Sequence, residues 1–399
     1  MQIKSFGMGR LKPMAVHLTA SGSFLPGAPV DNDTMESRLG LIGGEPSRYR
    51  RAVLRNNGIR SRHYAIDEDG HQTHLNEELA AAAVERAVER RGISLNEVGM
   101  LAVGTTLPDV LMPGFASMVH GRLGAHSDQV GPKEVLSTAG ICASGAAAFM
   151  HAWTAVLAGR HERAVACASE LVSAMGRGSR FEHESEVHAD RDGIPEGFQY
   201  FNAEFLRWML SDGAGAVVLE RDPNPDGPSL RVDWVELMSY AHEMPVCMHL
   251  GMSDPGDVSV GKTWLSVESY DAALEQGMLL GRQDTKLLAN NTIRIGTEEM
   301  RRLVKAGRLE SSYDWVLPHL SSNYFKAKLA TCFANVGLDL PDDRWFTNLS
   351  TRGNTGAAAI FIILDEALRS GLFARGDRIL GIVPESGRFT MSFMQFTCV

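Results

Sequence analysis

The stretch Gly145–Glu170, GAAAFMHAWTAVLAGRHERAVACASE, is written a second time at Gly356–Glu385 as GAAAIFIILDEALRSGLFARGDRILGIVPE, with a few residues inserted. Each copy runs from small residues into an apolar helical stretch, breaks at a glycine, and ends in a short apolar strand. The starting glycines are 211 residues apart, and the preceding strands, around Met100 in VGMLAVG and Val316 in YDWVLPH, are 216 apart. A repeat this long is no solenoid unit, whose period is far shorter. One half of the chain is therefore duplicated, and two fused α/β halves related by a pseudo-twofold axis are expected.

The elements around these stretches alternate as a parallel sheet requires. Residues 75–91 predict an Ala- and Glu-rich helix closed by Gly92, followed by a buried strand at 98–105. A short strand at 135–138, a tight turn at 139–142, a helix at 143–157 and a strand at 164–169 complete two βαβ units. In the second half the same order predicts a helix over 297–307, a strand at 315–318, a helix over 326–336, a turn and a further helix. RDPNPDGP, following an apolar strand at 216–219, marks the boundary between halves at 1–222 and 223–399. Residues 176–205 read as a surface excursion whose first part is rich in Arg, His, Glu and Asp.

Composition narrows the classes of function. The chain has 399 residues, 44% of them apolar and 22% charged, which is ordinary globular usage. A net charge of −9 without basic blocks makes a nucleic-acid partner a poor expectation. No apolar run approaches the roughly 20 residues that span a bilayer, so no membrane partner is expected. Met1–Leu18 lacks a signal-peptide core, so a cytoplasmic protein is expected. The five cysteines are scattered and never closely paired, which argues against disulfides and a structural metal. His183, His188, Asp190 and Asp192 have no metal-site spacing and read as a solvated loop.

One cysteine stands in an unusual place. Cys142 lies between a strand and a helix of small residues, where unpaired N–H groups favour a thiolate and small neighbours let a carbonyl approach. Cys167 and Cys332 read instead as buried apolar residues. In the second half His319 stands at a strand's C-terminal end, and Asn354 occupies the turn equivalent to that of Cys142.

The motifs STAGICASGAAAF, SDGAGAVVLE, LPHLSSNYF and LSTRGNTGAAAI together resemble the thiolase-fold condensing enzymes, most closely their β-ketoacyl-ACP synthase III branch, over nearly the whole chain. The resemblance implies a thiolase-like fold, with two duplicated α/β halves packed as a layered α-β-α-β-α core. It implies that Cys142 accepts an acyl group, and that His319 and Asn354 assist decarboxylation of a malonyl-type extender by donating to the enolate-like oxygen. The backbone N–H groups of Cys142 and Gly387 would form the oxyanion hole. No cofactor or metal is expected, because the substrates arrive as thioesters on CoA or acyl carrier protein, and a homodimer is expected. Lesser similarity to ketosynthases of dialkylresorcinol and related secondary-metabolite pathways suggests a specialised substrate. Three departures stand out: LPHLSS lacks the usual Asn after the histidine, Gly356 replaces a common Ser, and ESGR is less glycine-rich than usual. Acyl transfer to oxygen or nitrogen, and a non-catalytic partner subunit, are the alternatives. The retained Asn354 argues against the first, and the intact Cys142, His319 and Asn354 argue against the second.

Overall fold

The computed structural model describes residues 15–182, 196–253, 256 and 258–399. The first half contributes β1 (His17–Phe24), α1 (Asn76–Arg91), β2 (Met100–Thr105), α2 (Phe115–His126), β3 (Glu134–Ala139), α3 (Ala143–Leu157), β4 (Arg163–Glu170), α4 (Glu196–Arg207) and β5 (Gly213–Glu220). The second contributes β6 (Leu230–Ser239), α5 (Thr285–Lys305), β7 (Trp315–Pro318), α6 (Tyr324–Asn335), α7 (Ala359–Arg369), β8 (Arg378–Pro384) and β9 (Thr390–Cys398). The strands run in the order β7-β8-β9-β6-β1-β5-β4-β2-β3. The two halves join where β1 meets β6, and that pairing is confined to His17 with Arg231 and Leu18 with Leu230. β2 lies parallel to β3 and β4, and β7 parallel to β8, as helical crossovers require.

The two sub-sheets fold face to face over a shared helical layer. α3 and α7 fill that layer, and their apolar residues form one core with side chains from both sub-sheets. Phe149 of α3 lies 6.3 Å, ring centre to ring centre, from Phe361 of α7 and 5.8 Å from Phe396 of β9. The helices begin so close together that a Cβ on Gly145 would strike the carbonyl oxygen of Ala357. Only glycine fits there, which explains why the repeat opens on that residue type. α1 and α2 cover the other face of the first sub-sheet, and α5 and α6 cover that of the second. The order helix, sheet, helix, sheet, helix is the expected thiolase-like architecture.

Two expectations need correction. The helix predicted from Thr297 begins at Thr285, because the Asp284 carboxylate accepts the Leu287 N–H at 2.8 Å and caps it. The stretch read as a surface excursion ends in a packed helix, α4, with Ala203 buried and Trp208, just past its end, fully buried. Apolar residues at 201, 205 and 208 carry that packing, and the polar residues before them mask the helical spacing. His183, His188, Asp190 and Asp192 lie outside the described residues.

A buried carboxylate fastens the helical layer to the first half. Asp365 of α7, wholly inaccessible, accepts from Ser21 at 2.9 Å, Ser23 at 2.6 Å, Arg90 at 2.5 Å and Arg369 at 3.1 Å. Both arginines are partly exposed and can rehydrate, whereas the serine hydroxyls cannot. Asp365→Ala should therefore cost about 2–3 kcal/mol, mostly from the stranded hydroxyls, read as a fall in the urea midpoint. An unchanged midpoint would show that the cluster contributes nothing net.

Candidate active site

The loop after β3 carries Cys142 to the first turn of α3. Gly140 adopts φ +150°, in the region that favours glycine, and lets the chain reverse there. Ser144 Oγ donates to the Ile141 carbonyl at 2.8 Å, and Thr138 Oγ1 donates to the Ser144 carbonyl at 2.8 Å, so the turn is pinned from both sides. No backbone carbonyl in the turns and loops of the described residues accepts the Cys142 N–H. Cys142 lines two cavities at once. The larger, of about 410 Å³, is lined also by Asn354 and Glu170, and the smaller, of about 60 Å³, also by His319. Ser321 and Ser386 line both.

His319 follows β7 and is held by its backbone N–H, which donates to Ile382 of β8 at 2.8 Å. Its Nε2 is buried without a partner among the described residues. Burial lowers its pKa to about 4, so the ring is neutral near pH 7 and offers one N–H donor. Asn354 forms a parallel bridge with Leu210 in which its carbonyl accepts the Ser211 N–H at 2.8 Å, and its Oδ1 accepts the Gly356 N–H at 3.0 Å. With Oδ1 engaged by the backbone and Nδ2 bonded to nothing among the described residues, the amide N–H₂ is the group left for a ligand. The structure thus places Cys142 on both cavities, with Asn354 on one and His319 on the other.

The sulfur's surroundings differ from the expected ones. Burial pushes the Cys142 thiol far up, and the carboxylates of Glu385 and Glu170 push it further. The helix N-terminus offers only about 0.3–1 kcal/mol in the other direction. The resting group is a thiol rather than a thiolate. Glu170, at the end of β4, is itself pushed up to about 7 by burial, against the lowering effect of hydrogen bonds from Thr106 and Ala357.

Gly387 does not join the cluster. Its N–H donates to Glu385 Oε1 at 2.6 Å, its carbonyl accepts from Cys247 and Met248, and it lines neither cavity. Ser386, one residue earlier, is the loop residue facing the sulfur's cavities.

Sequence reasoning also missed the walls. Leu39, Phe181, Phe205, Leu206 and Met209 give the larger cavity an apolar lining, much of it from α4 and its flanks. Their polar neighbours in sequence concealed them. Glu170 was detectable, since a carboxylate ending a buried strand lies where α/β sheets gather ligands.

Comparison with known proteins bears on the domains and the fold that carry these residues. Residues 76–224 match the β-ketoacyl synthase N-terminal domain, and residues 303–388 match the C-terminal domain of 3-oxoacyl-[acyl-carrier-protein] synthase III. Among solved structures, AbyA1, a tetronic acid condensing enzyme, superposes with a TM-score of 0.72 at 22% identity, over 96% of this chain and 99% of its own. The 3-oxoacyl-[acyl-carrier-protein] synthase III of Aquifex aeolicus gives 0.67 at 19%, over 96% and 99%. OleA of Xanthomonas campestris, solved with lauric acid and lauroyl-CoA, gives 0.69 at 19%, over 97% and 100%. These likenesses establish the fold.

Burial of a neutral His319 sets an acid limit on stability. Its folded pKa lies below the unfolded value of 6.5, so between pH 6.5 and about 4 only the unfolded chain takes up the proton. Stability is lost as pH falls through that window, by about 3 kcal/mol in all. His319→Gln should flatten this part of the pH profile of unfolding. An unchanged difference between urea midpoints at pH 4.5 and 7.5 would contradict a neutral buried ring.

Proposed function

The chain belongs to the β-ketoacyl-ACP synthase III-like ketosynthases of the thiolase superfamily, and on that premise we propose that it catalyses a decarboxylative Claisen condensation. The observation that carries this reading is the place of Cys142 at the junction of two cavities, one bearing the free amide of Asn354 and the other the neutral ring of His319.

In the first half-reaction the Cys142 sulfur attacks an acyl thioester and retains the acyl group, while the thiol proton leaves with the departing thiol. A thiol held protonated at rest suits this exchange, since the proton need move only as the carbonyl is attacked. The backbone N–H of Cys142 would donate to the oxyanion. In the second half-reaction a malonyl thioester, which carries the carboxylate to be lost, binds with its carbonyl oxygen between His319 and Asn354; a β-ketoacyl partner would reach the equivalent enolate by giving up an α-proton instead of carbon dioxide. Loss of carbon dioxide leaves an enolate, whose oxygen both groups stabilise as donors. The enolate carbon attacks the acyl-Cys142 carbonyl, and collapse of the adduct expels the sulfur, which regains a proton. Asn354 favours condensation over simple acyl transfer to oxygen or nitrogen, because transfer alone develops no enolate for its Nδ2 to serve.

The apolar wall of the larger cavity suits an acyl chain rather than a polar head. OleA of the same fold, solved with a lauroyl thioester, supports that assignment. The donor and the extender would be carried on CoA or acyl carrier protein in the cytoplasm, in a fatty-acid-like or secondary-metabolite pathway. No helix among the described residues is long and apolar enough to cross a membrane.

We propose a homodimer as the working unit. β3 is an edge strand with Val135 facing out, and Leu111 and Met112 on a nearby loop are 68% and 85% exposed, a liability that a second copy would cover.

Cys142→Ala should abolish acyl loading seen by intact mass. His319→Ala and Asn354→Ala should load yet condense about 10²–10³-fold more slowly, the usual effect of removing one oxyanion donor. Equal loss of loading in all three variants would refute this division of labour.

A further inference from the structure

The two repeat copies end on the same residue type, Glu170 and Glu385, and both carboxylates bear on Cys142. Glu385 is occupied within its own loop, accepting N–H groups of Gly387 and Thr390 at 2.6 and 2.9 Å. Glu170 instead reaches across the boundary between the halves. Its Oε1 accepts from Thr106 Oγ1 at 2.6 Å, from the Thr106 N–H at 3.2 Å and from the Ala357 N–H at 3.0 Å. Ala357 opens the segment that leads from Asn354 into α7.

We propose that Glu170 is a positioning residue that ties down the Asn354 turn and so aims the Asn354 amide at the cavity during condensation. The inference rests on the condensation reading given above. Two consecutive N–H groups follow Asn354, and each has one acceptor: Gly356 donates to Asn354 Oδ1, and Ala357 donates to Glu170 Oε1. Without the Glu170 carboxylate, the Ala357 N–H becomes a buried donor with no partner, and Asn354 Oδ1, which already accepts the adjacent Gly356 N–H, is an acceptor on the same turn that it would compete for. An amide drawn toward Ala357 turns its N–H₂ away from the ligand.

The fit around the carboxylate is close. Gly356 stands at φ +51°, and a Cβ there would lie 2.8 Å from Glu170 Oε1 and 3.1 Å from its Cγ. Gly356, one of the three departures from the family pattern, is thus the residue that leaves room for this carboxylate. Keeping a carboxylate so deeply buried is costly, as its raised pKa reflects. A bond that sets the angle of a reacting group is a use that offsets the cost.

The test compares Glu170→Ala with Glu170→Gln by acyl loading and by condensation. Glu170→Ala should condense about 10²-fold more slowly, the loss expected when a reacting group is misplaced by about 1 Å, with any change in loading from the lost carboxylate beside Cys142 much smaller. Glu170→Gln keeps an acceptor oxygen for Ala357 and should condense within a few-fold of wild type. A purely structural role would lower loading and condensation together, so parallel loss overturns the proposal. Wild-type condensation by Glu170→Ala overturns it too, as does a Gln variant no better than the Ala variant. If Glu170→Ala does not fold, Thr106→Val removes the shortest bond to the carboxylate and should show the same split at smaller size; no split overturns the proposal. If wild type loads but never condenses, the condensation reading fails instead. The orientation of Asn354 in a crystal structure of the Glu170 variant then decides, and an unmoved amide overturns the clamp.

Discussion

Everything at the cleft depends on the backbone contact between Gly145 and Ala357, where the first turns of the two central helices meet with no side chain between them. Because both helices are born at this contact, the turns immediately before them are forced together. One of those turns carries a sulfur and the other a carboxamide. His319 arrives from a third direction, at the end of a strand whose partner β8 holds its backbone. Duplication thus gives two equivalent ends of two equivalent helices, and the meeting of those ends makes a site that neither half contains alone.

Burial sets the electrical character of that site. It removes charge from the thiol and the imidazole, and it leaves two carboxylates close enough to keep the sulfur protonated. A helix N-terminus is too weak to reverse this. The neutral ring keeps its donor available, and the protonated sulfur is less exposed to side reactions than a thiolate.

The repeat made the fold and the principal residues legible. Gly145 and Gly356 marked equivalent helix starts, which placed Cys142 and Asn354 at equivalent turns, and strand order placed His319 at a strand end. What escaped was decided by side-chain direction. Gly387 was the natural oxyanion donor by position, yet the Glu385 carboxylate folds back two residues and occupies its N–H. No pattern in ESGR announces that turn. α4 escaped because its apolar residues are interleaved with Gln, Asn and Glu, and only contact with the cavity shows which face matters. The thiolate expectation failed for a related reason: sequence gives the helix start but not the depth of the sulfur or the carboxylates beside it.

The walls and the reacting groups have separate origins in the chain. Phe181, Phe205, Leu206 and Met209 come from one segment between β4 and β5, outside both repeat copies, whereas Cys142, His319 and Asn354 sit in or beside the duplicated elements. Substitutions in that segment can reshape the space for a hydrocarbon tail without touching the helix starts that hold the chemistry. The arrangement is modular, and a large part of the wall can change through one contiguous stretch of sequence.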